Sequence, residues 1–177
     1  MTEREYSRLF RRHYLPLGMF ALRYCGETAE AEDIVQEAFV KVWQKFRSND
    51  SPPDIRQYLY AVVRNIAVDR IRMSSRQAEY SLSDMEIPED SLVTEEQIDT
   101  SERDARIWRE IGRLPDRCRQ VFLLSKRNGF SNKEIADELG ISVKTVENQM
   151  TKALAHLRDS LASLKPGPSI CLLLPFL

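Results

Sequence analysis

Apolar side chains recur at every third or fourth position through most of the chain, a spacing that predicts α-helices. The clearest pattern spans residues 28–46, where one face collects these side chains without a gap: Ile34, Val35, Ala38, Phe39, Val42, Trp43 and Phe46. Similar patterns predict helices over residues 3–24 and 55–73. No alternating run of β-branched residues indicates a strand. We therefore expect an all-α fold, with a first helical domain over residues 1–75.

Two pairs of residues mark where helices begin. Asp54 with Gln57, and Ser131 with Glu134, have the three-residue spacing of a capping box. In this arrangement each side chain accepts a hydrogen bond from the other residue's backbone N–H, which satisfies donors left free in the first turn of a helix. Helices are therefore predicted to start directly after Asp54 and Ser131.

Residues 131–161 divide into a short helix, a tight turn and a longer helix. Gly140 is able to adopt the left-handed conformation that ends a helix. Ser142 can cap the helix that follows. This order is typical of a helix-turn-helix, in which the second helix enters the major groove of DNA.

The longer helix of this motif has one apolar and one polar face. The apolar face is expected to hold Val146, Met150, Ala153, Leu154 and Leu157. The side chains that point away can donate to phosphates or contact base edges, and they are Lys144, Glu147, Asn148, Thr151 and Lys152. The alternative is an ordinary helical hairpin whose polar face only contacts water. The residues Ala136, Gly140 and Ile141 at the turn favour DNA binding over that alternative.

A strongly acidic stretch separates the two helical blocks. Residues 79–104 hold ten acidic side chains and one basic side chain, a net charge of −9. Residues 1–78 carry a net charge of +3, and residues 105–177 carry +5. The overall charge of −1 therefore hides two basic blocks around an acidic one.

The loss of helical periodicity places the domain boundaries. Residues 76–100 are assigned to an acidic linker, and residues 101–163 to a second helical domain that contains the helix-turn-helix. The remaining residues, 164–177, form an apolar tail with three prolines. The tail is too short to span a bilayer, and its pattern fits docking on a surface as well as a frayed end.

Basic residues also line the helix predicted over residues 55–73. Arg56, Tyr60 and Arg64 follow one another at four-residue spacing, with Asn65 and Arg72 beside them. A basic stripe that contains an aromatic ring suits nucleic acid, including unpaired bases that stack on the ring. A solvated arginine-rich face with a partly packed tyrosine fits this pattern equally well.

The composition argues against an enzyme and against a cofactor. The three cysteines are far apart in sequence, which indicates no disulfide framework or metal site and favours a reducing cytoplasm. The two histidines, His13 and His156, lie in different helical blocks, and no glycine-rich phosphate loop is present. The first residues are too charged for a signal peptide. We therefore expect a cytoplasmic protein with no catalytic site, no cofactor and no small-molecule substrate.

Taken together, these segments resemble the ECF (extracytoplasmic function) group of bacterial RNA polymerase sigma factors. The resemblance rests on AEAEDIVQEAFVKVWQKF at residues 29–46, YLYAVVRNIAVDRIR at 58–72, and the region from LPDRCRQVF to KALAHLR at 114–158. It covers nearly the whole chain except the linker and the tail. Both halves, in this order around an acidic linker, make the resemblance highly specific.

The resemblance implies a role for each part of the chain. The first domain is expected to be a sigma-2 domain and the second a sigma-4 domain. Core RNA polymerase, through its β′ clamp helices and β flap, and promoter DNA are the expected partners, together with an anti-sigma factor that is commonly linked to the membrane. The acidic linker is expected to run toward the RNA exit path.

The resemblance also implies three sets of site residues. Contact with core polymerase is expected at Asp33, Gln36, Val40 and Gln44. Recognition and opening of the −10 element are expected at Arg56, Tyr60, Arg64, Asn65 and Arg72. Reading of the −35 element is expected at Ser142, Lys144, Thr145, Asn148 and Lys152.

Two other functional classes share parts of this pattern. A conventional transcriptional regulator with the same helix-turn-helix would bind DNA without polymerase, but the N-terminal block lacks the alternating strands and helices of a receiver domain. A helical interaction protein that mimics a sigma factor and only sequesters a partner is the second alternative. The intact polar face of the last helix argues against it.

Overall fold

The structure, a computed structural model, describes residues 2–47, 52–77 and 92–162. Most of the predicted linker and all of the predicted tail lie outside the described residues. Within those ranges the all-α prediction is confirmed, since the secondary structure consists of helices without a strand. The helices are α1 (Glu3–Cys25), α2 (Thr28–Arg47), α3 (Ile55–Gln77), α4 (Glu95–Gly112), α5 (Asp116–Lys126), α6 (Asn132–Leu139) and α7 (Val143–Leu161).

The helices belong to two compact units, Met1–Glu102 and Arg103–Leu177. In the first unit, α1, α2 and α3 pack against one another. Their large core side chains are Leu17, Phe20, Ile34, Val35, Phe39, Val42, Leu59, Tyr60 and Val63. Burying each aliphatic or phenylalanine side chain contributes about 1.5–3 kcal/mol before conformational entropy is subtracted. The apolar face predicted for α2 is therefore the face that the bundle buries.

An aromatic cluster extends this core toward the N-terminal half of α1. The Tyr6 ring centroid lies 4.8 Å from that of Trp43, with the rings at 63°. Phe10 contacts Phe39 at a centroid distance of 4.7 Å. Edge-on and tilted pairs of this kind add to the energy of apolar burial. They fix the side of α2 that faces α1.

The second unit contains α5, α6 and α7, which also pack against one another. Its core combines side chains from all three helices and from the turns between them: Val121, Ile135, Ala136 and Val146, with Leu124, Phe130, Leu139, Ile141 and Met150 partly buried around them. The Cys118 thiol of α5 donates a hydrogen bond to Gln149 Oε1 of α7 at 2.8 Å. This bond and the apolar core fix the rotation of α7 about its own axis.

The predicted start signals are confirmed as hydrogen bonds. Gln57 N donates to Asp54 Oδ1 at 3.0 Å before α3. At α6, Glu134 N donates to Ser131 Oγ at 3.3 Å, and Ser131 N donates to Glu134 Oε2 at 2.8 Å. The hydrogen bonds to Ser131 lower the pKa of Glu134. Both helices therefore begin where the sequence predicts.

Two helix boundaries differ from the prediction. The third helix continues to Gln77, beyond the predicted end near residue 73, and α4 begins at Glu95 instead of residue 101. A capping box starts α4, in which Gln97 N donates to Thr94 Oγ1 at 3.3 Å and Thr94 N donates to Gln97 Oε1 at 3.0 Å. The last residues of the predicted linker are thus the first turns of a helix, because a local cap outweighs their high charge.

No helix among the described residues is long and apolar enough to cross a membrane.

We expect Gly140→Ala to lower the free energy of unfolding of the second unit by about 1–2 kcal/mol. Gly140 ends α6 at φ 62°, a left-handed conformation that is costly for a residue with a Cβ. The measurement is urea unfolding followed by Trp108 fluorescence, in a background in which Trp43→Phe removes the other tryptophan. Gly112→Ala is the matched control, because a Cβ there meets open space and φ is not positive. Equal stability of the two variants would contradict the conformational argument.

Candidate nucleic-acid interface

Helix α7 begins with a tightly bonded turn. Ser142 Oγ accepts a hydrogen bond from Thr145 N at 3.0 Å, and the two side-chain hydroxyls lie 2.8 Å apart. The preceding turn is closed by Ile141 N, which donates to Ala136 O at 3.0 Å. Because Gly140 takes the left-handed conformation, α6 ends there and α7 begins within three residues. The short turn fixes where the N-terminus of α7 emerges.

The polar face of α7 is exposed as predicted. Lys144, Asn148 and Lys152 are exposed at four-residue spacing, so they lie along one side of the helix. Val146 and Ala153, on the other side, are fully buried. The predicted apolar face of α7 is wrong at Leu154. This residue is 42% exposed, because it lies at the edge of the buried stripe.

An acidic side chain lies within this polar face. Glu147 Oε2 is 3.2 Å from Lys144 Nζ, one turn apart on α7. An exposed ion pair of this type stabilises the helix by less than about 1 kcal/mol. Lys144 can therefore leave Glu147 to contact DNA. Thr151 is turned back on the helix, since its Oγ1 donates to Glu147 O at 2.9 Å.

The polar face of α2 is also exposed. Asp33, Gln36, Val40 and Gln44 follow at spacings of three and four residues and share one side of the helix. Val40 is 52% exposed, although its neighbours Ala38, Phe39 and Val42 are buried. An exposed valine among polar side chains provides a small apolar contact area.

In α3, Arg56 is held by three carboxylates of the first turns of α4. Its Nε donates to Glu102 Oε1 at 2.8 Å, Nη1 to Glu95 Oε2 at 2.7 Å, and Nη2 to Asp99 Oδ1 at 2.8 Å. These four residues, which all belong to the first unit, are called the Arg56 cluster below. The hydrogen bonds, foremost the one to Glu102, raise the pKa of Arg56, so the guanidinium stays charged.

Tyr60, one turn further along α3, is fully buried. Its ring meets Phe20 edge-on at a centroid distance of 5.0 Å. The phenolic oxygen has no hydrogen-bond partner among the described residues. Burial raises the pKa of the phenol, and the nearby charge of Glu102 adds to the rise.

The remaining predicted −10 residues differ in exposure. Asn65 is exposed, whereas Arg64 and Arg72 are half-buried. Arg64 forms a hydrogen bond with Tyr24. Arg56, Tyr60 and Arg64 therefore do not form an open basic stripe in this conformation, and their role at the −10 element stays a prediction. Tyr60 turns into the core and Arg56 is already bonded, because α4 supplies acidic partners that the local sequence of α3 does not reveal.

The two units match two families in separate parts of the chain. The family model described as sigma-70 region 2 matches residues 9–77, and the model described as sigma-70, region 4 matches residues 104–157. The chain is 31% identical over 158 residues to the ECF RNA polymerase sigma factor SigL of Mycobacterium tuberculosis, covering 88% of each chain. It is also 31% identical over 159 residues to SigW of Bacillus subtilis, covering 80% of this chain and 81% of SigW.

The chain belongs to the ECF family of RNA polymerase sigma factors.

Among solved structures, this ECF sigma factor is similar to RpoE of Bartonella quintana, crystallised with the anti-sigma factor NepR. The match has 19% identity and a TM-score of 0.38, and it covers 91% of this chain and 99% of that one. A second match is CnrH in complex with the cytosolic domain of CnrY, at 24% identity and a TM-score of 0.36, with 93% and 92% coverage.

Membership of this family assigns the general role of the protein. As a sigma factor, it acts with RNA polymerase in promoter-specific initiation of transcription. The region 2 match contains the polar face of α2 and all of α3, and the region 4 match contains α5, α6 and most of α7.

No role is predicted from the sequence for the partners of Arg56, which are Glu95, Asp99 and Glu102.

A signal for these three residues was present in the sequence. They are spaced four and three positions apart, which puts carboxylates on one side of a helix. Thr94, directly before Glu95, has the spacing of a capping box with Gln97. Together, this cap and this spacing indicate an acidic helical face at residues 95–102, where the end of the linker is predicted.

We expect Tyr60→Phe to raise the free energy of unfolding of the first unit of this sigma factor by up to about 1 kcal/mol. The substitution removes a buried hydroxyl that has no hydrogen-bond partner, and such a group costs stability. The matched variant Tyr24→Phe should lower that free energy by about 1 kcal/mol, because it removes the hydrogen bond with Arg64.

The measurement for both tyrosine variants is native-state amide hydrogen exchange of α1 and α2, read by mass spectrometry. Destabilisation by Tyr60→Phe as large as that by Tyr24→Phe would show that the Tyr60 hydroxyl is bonded in solution.

Proposed function

We propose that the two units divide promoter recognition between them. Helix α7 of the second unit reads the −35 element, α3 of the first unit recognises and opens the −10 element, and the polar face of α2 binds core polymerase. The observation that carries the proposal is the exposed polar face of α7, directly opposite its buried stripe and directly after a capped turn. The protein acts as a cytoplasmic initiation factor and leaves the chemistry of RNA synthesis to the polymerase.

The dimensions of α7 support this assignment. Lys144, Asn148 and Lys152 span about 12 Å along the helix axis at 1.5 Å per residue, which fits the major groove. The amide of Asn148 suits bidentate contact with adenine, and the lysines suit guanine or phosphate. Ser142 and Thr145, at the positive N-terminal end of the helix, suit a backbone phosphate.

For the −10 element we propose that Asn65 contacts an unpaired base. Asn65 is exposed on the first unit, and an amide side chain can both donate to and accept from a base edge. Arg64 and Arg72 lie near it along α3 and supply positive charge for the strand. Arg56 joins them only when the Arg56 cluster is open, and Tyr60 only when its ring leaves the core of the first unit.

For core polymerase we propose that the β′ clamp helices pack on the polar face of α2. Asp33, Gln36 and Gln44 would form the hydrogen-bonding rim around the apolar contact at Val40. The β flap is the partner that we assign to the second unit. An anti-sigma factor, linked to the membrane, is the regulator that we infer from membership of the ECF family.

We expect Asn148→Ala to relax base preference at one position of the upstream element by about 1–3 kcal/mol, with the other positions unchanged. The reason is that one side chain with paired donor and acceptor reads one base pair. The measurement is sequencing of duplexes that the holoenzyme selects from a randomised pool. Thr151→Ala is the control, because the Thr151 hydroxyl is bonded to the helix backbone. An unchanged selected sequence for Asn148→Ala would remove this residue from the reading surface.

We expect Val40→Glu to weaken binding to core polymerase at least about tenfold, because it places a charge in the centre of the proposed contact. Val40 is half-exposed, so the substitution should leave folding intact. Binding is measured by titrating labelled protein with core polymerase. The control is Lys41→Gln, which changes the neighbouring side chain that pairs with Glu37 at 2.9 Å. If the two variants bind core polymerase equally well, the docking face lies elsewhere.

A further inference from the structure

The Arg56 cluster contains more negative charge than one arginine requires. Three carboxylates surround a single guanidinium, which leaves a local net charge of −2. A single carboxylate can satisfy an arginine through two parallel hydrogen bonds. Here Glu95, Asp99 and Glu102 instead contact three different nitrogens, in a row along the helix. A row of oxygen anions around a guanidinium is also what a nucleic-acid backbone provides.

These carboxylates are presented by an ordered helical segment. The Thr94–Gln97 capping box fixes its first turn. Val93, Ile98 and Ser101 are buried, and the hydroxyl of Ser101 donates to Gln97 O at 2.9 Å. Glu95 and Asp99 remain 61% and 63% exposed while they bind Arg56. The segment is therefore held by apolar burial, and its charged side stays in contact with water.

Tyr60 lies one turn from Arg56 on α3, and the charges of Glu102 and Asp99 act on it. Its ring is fully buried against Phe20 in the core of the first unit. The group on α3 that the three carboxylates occupy is therefore Arg56.

We propose that residues 95–102 of α4 act as an internal competitor for the −10 strand, in which three carboxylates occupy Arg56 until single-stranded DNA displaces them. This inference rests on the proposed role of α3 in binding the −10 element. The competitor makes the free sigma factor a weak binder of single-stranded DNA.

The test compares the affinity of full-length variants for a fluorescein-labelled single-stranded DNA 12-mer of randomised sequence. The triple variant Glu95→Gln, Asp99→Asn, Glu102→Gln should bind about tenfold more tightly than wild type, since each exposed ion pair contributes a factor of roughly two to five. The control is Glu27→Gln, Glu32→Gln, Glu96→Gln, which removes the same charge from three exposed positions that do not bond to Arg56. The proposal requires that the control variant gains clearly less affinity for the single-stranded DNA than the triple variant does.

A fourth variant separates release of Arg56 from a general charge effect. Adding Arg56→Ala to the triple variant should abolish most of the gain, because the released guanidinium is what binds the strand. A gain that persists without Arg56, a control that matches the triple variant, or an absence of binding by every variant would each overturn the proposal.

A second measurement uses the unmodified protein and does not depend on how the variants fold. When single-stranded DNA is bound, amides of residues 95–102 should exchange with solvent faster, whereas amides of α6 should not change. Unchanged or slower exchange in residues 95–102 with DNA bound would also overturn the proposal. Transcription with core polymerase separates failure of the competitor from failure of the sigma-factor assignment. If wild type directs a transcript while these tests fail, the competitor is rejected and the sigma-factor assignment stands.

Discussion

A helix that packs into a small bundle buries one stripe of side chains, and this constraint fixes which side chains remain for partners. In α7, burial of Val146 and Ala153 leaves Asn148 on the outside. In α2, burial of Phe39 and Val42 does the same for Val40. Core packing therefore orients both proposed contact faces, helped in α7 by the hydrogen bond from Cys118 to Gln149, and a change in that packing would rotate a recognition face away from its partner.

Helix α3 shows what happens when a second element covers the opposite side. Its inner stripe joins the bundle core, while Arg56 is bonded to carboxylates from the first turns of α4. Charge makes this arrangement reversible, because ion pairs at a partly exposed site are weak and a phosphate backbone can replace them. The last residues of the acidic stretch are thus folded as the first turns of α4, and in the competitor that we propose they act on α3.

The sequence predicted most of this fold because most of its signals are local. Capping boxes at Asp54 and Ser131, the left-handed Gly140 and the apolar period of α2 each depend on residues within a few positions of one another. The full burial of Tyr60 has a different origin. Its burial depends on Phe20, forty residues earlier, and its neighbour Arg56 binds acids about forty residues later. Four-residue spacing identifies one side of a helix, but it does not reveal what covers that side.

As a sigma factor, this chain directs RNA polymerase to specific promoters, and we propose that both of its units take part. The most direct measurement is transcription by purified core polymerase on a library of fragments from the source genome, with the 5′ ends of the transcripts sequenced. We expect discrete start sites that appear only when the protein is added and that share an upstream and a downstream element at constant spacing. Start sites identical to those of core polymerase alone, although the protein is bound to it, would contradict the claim.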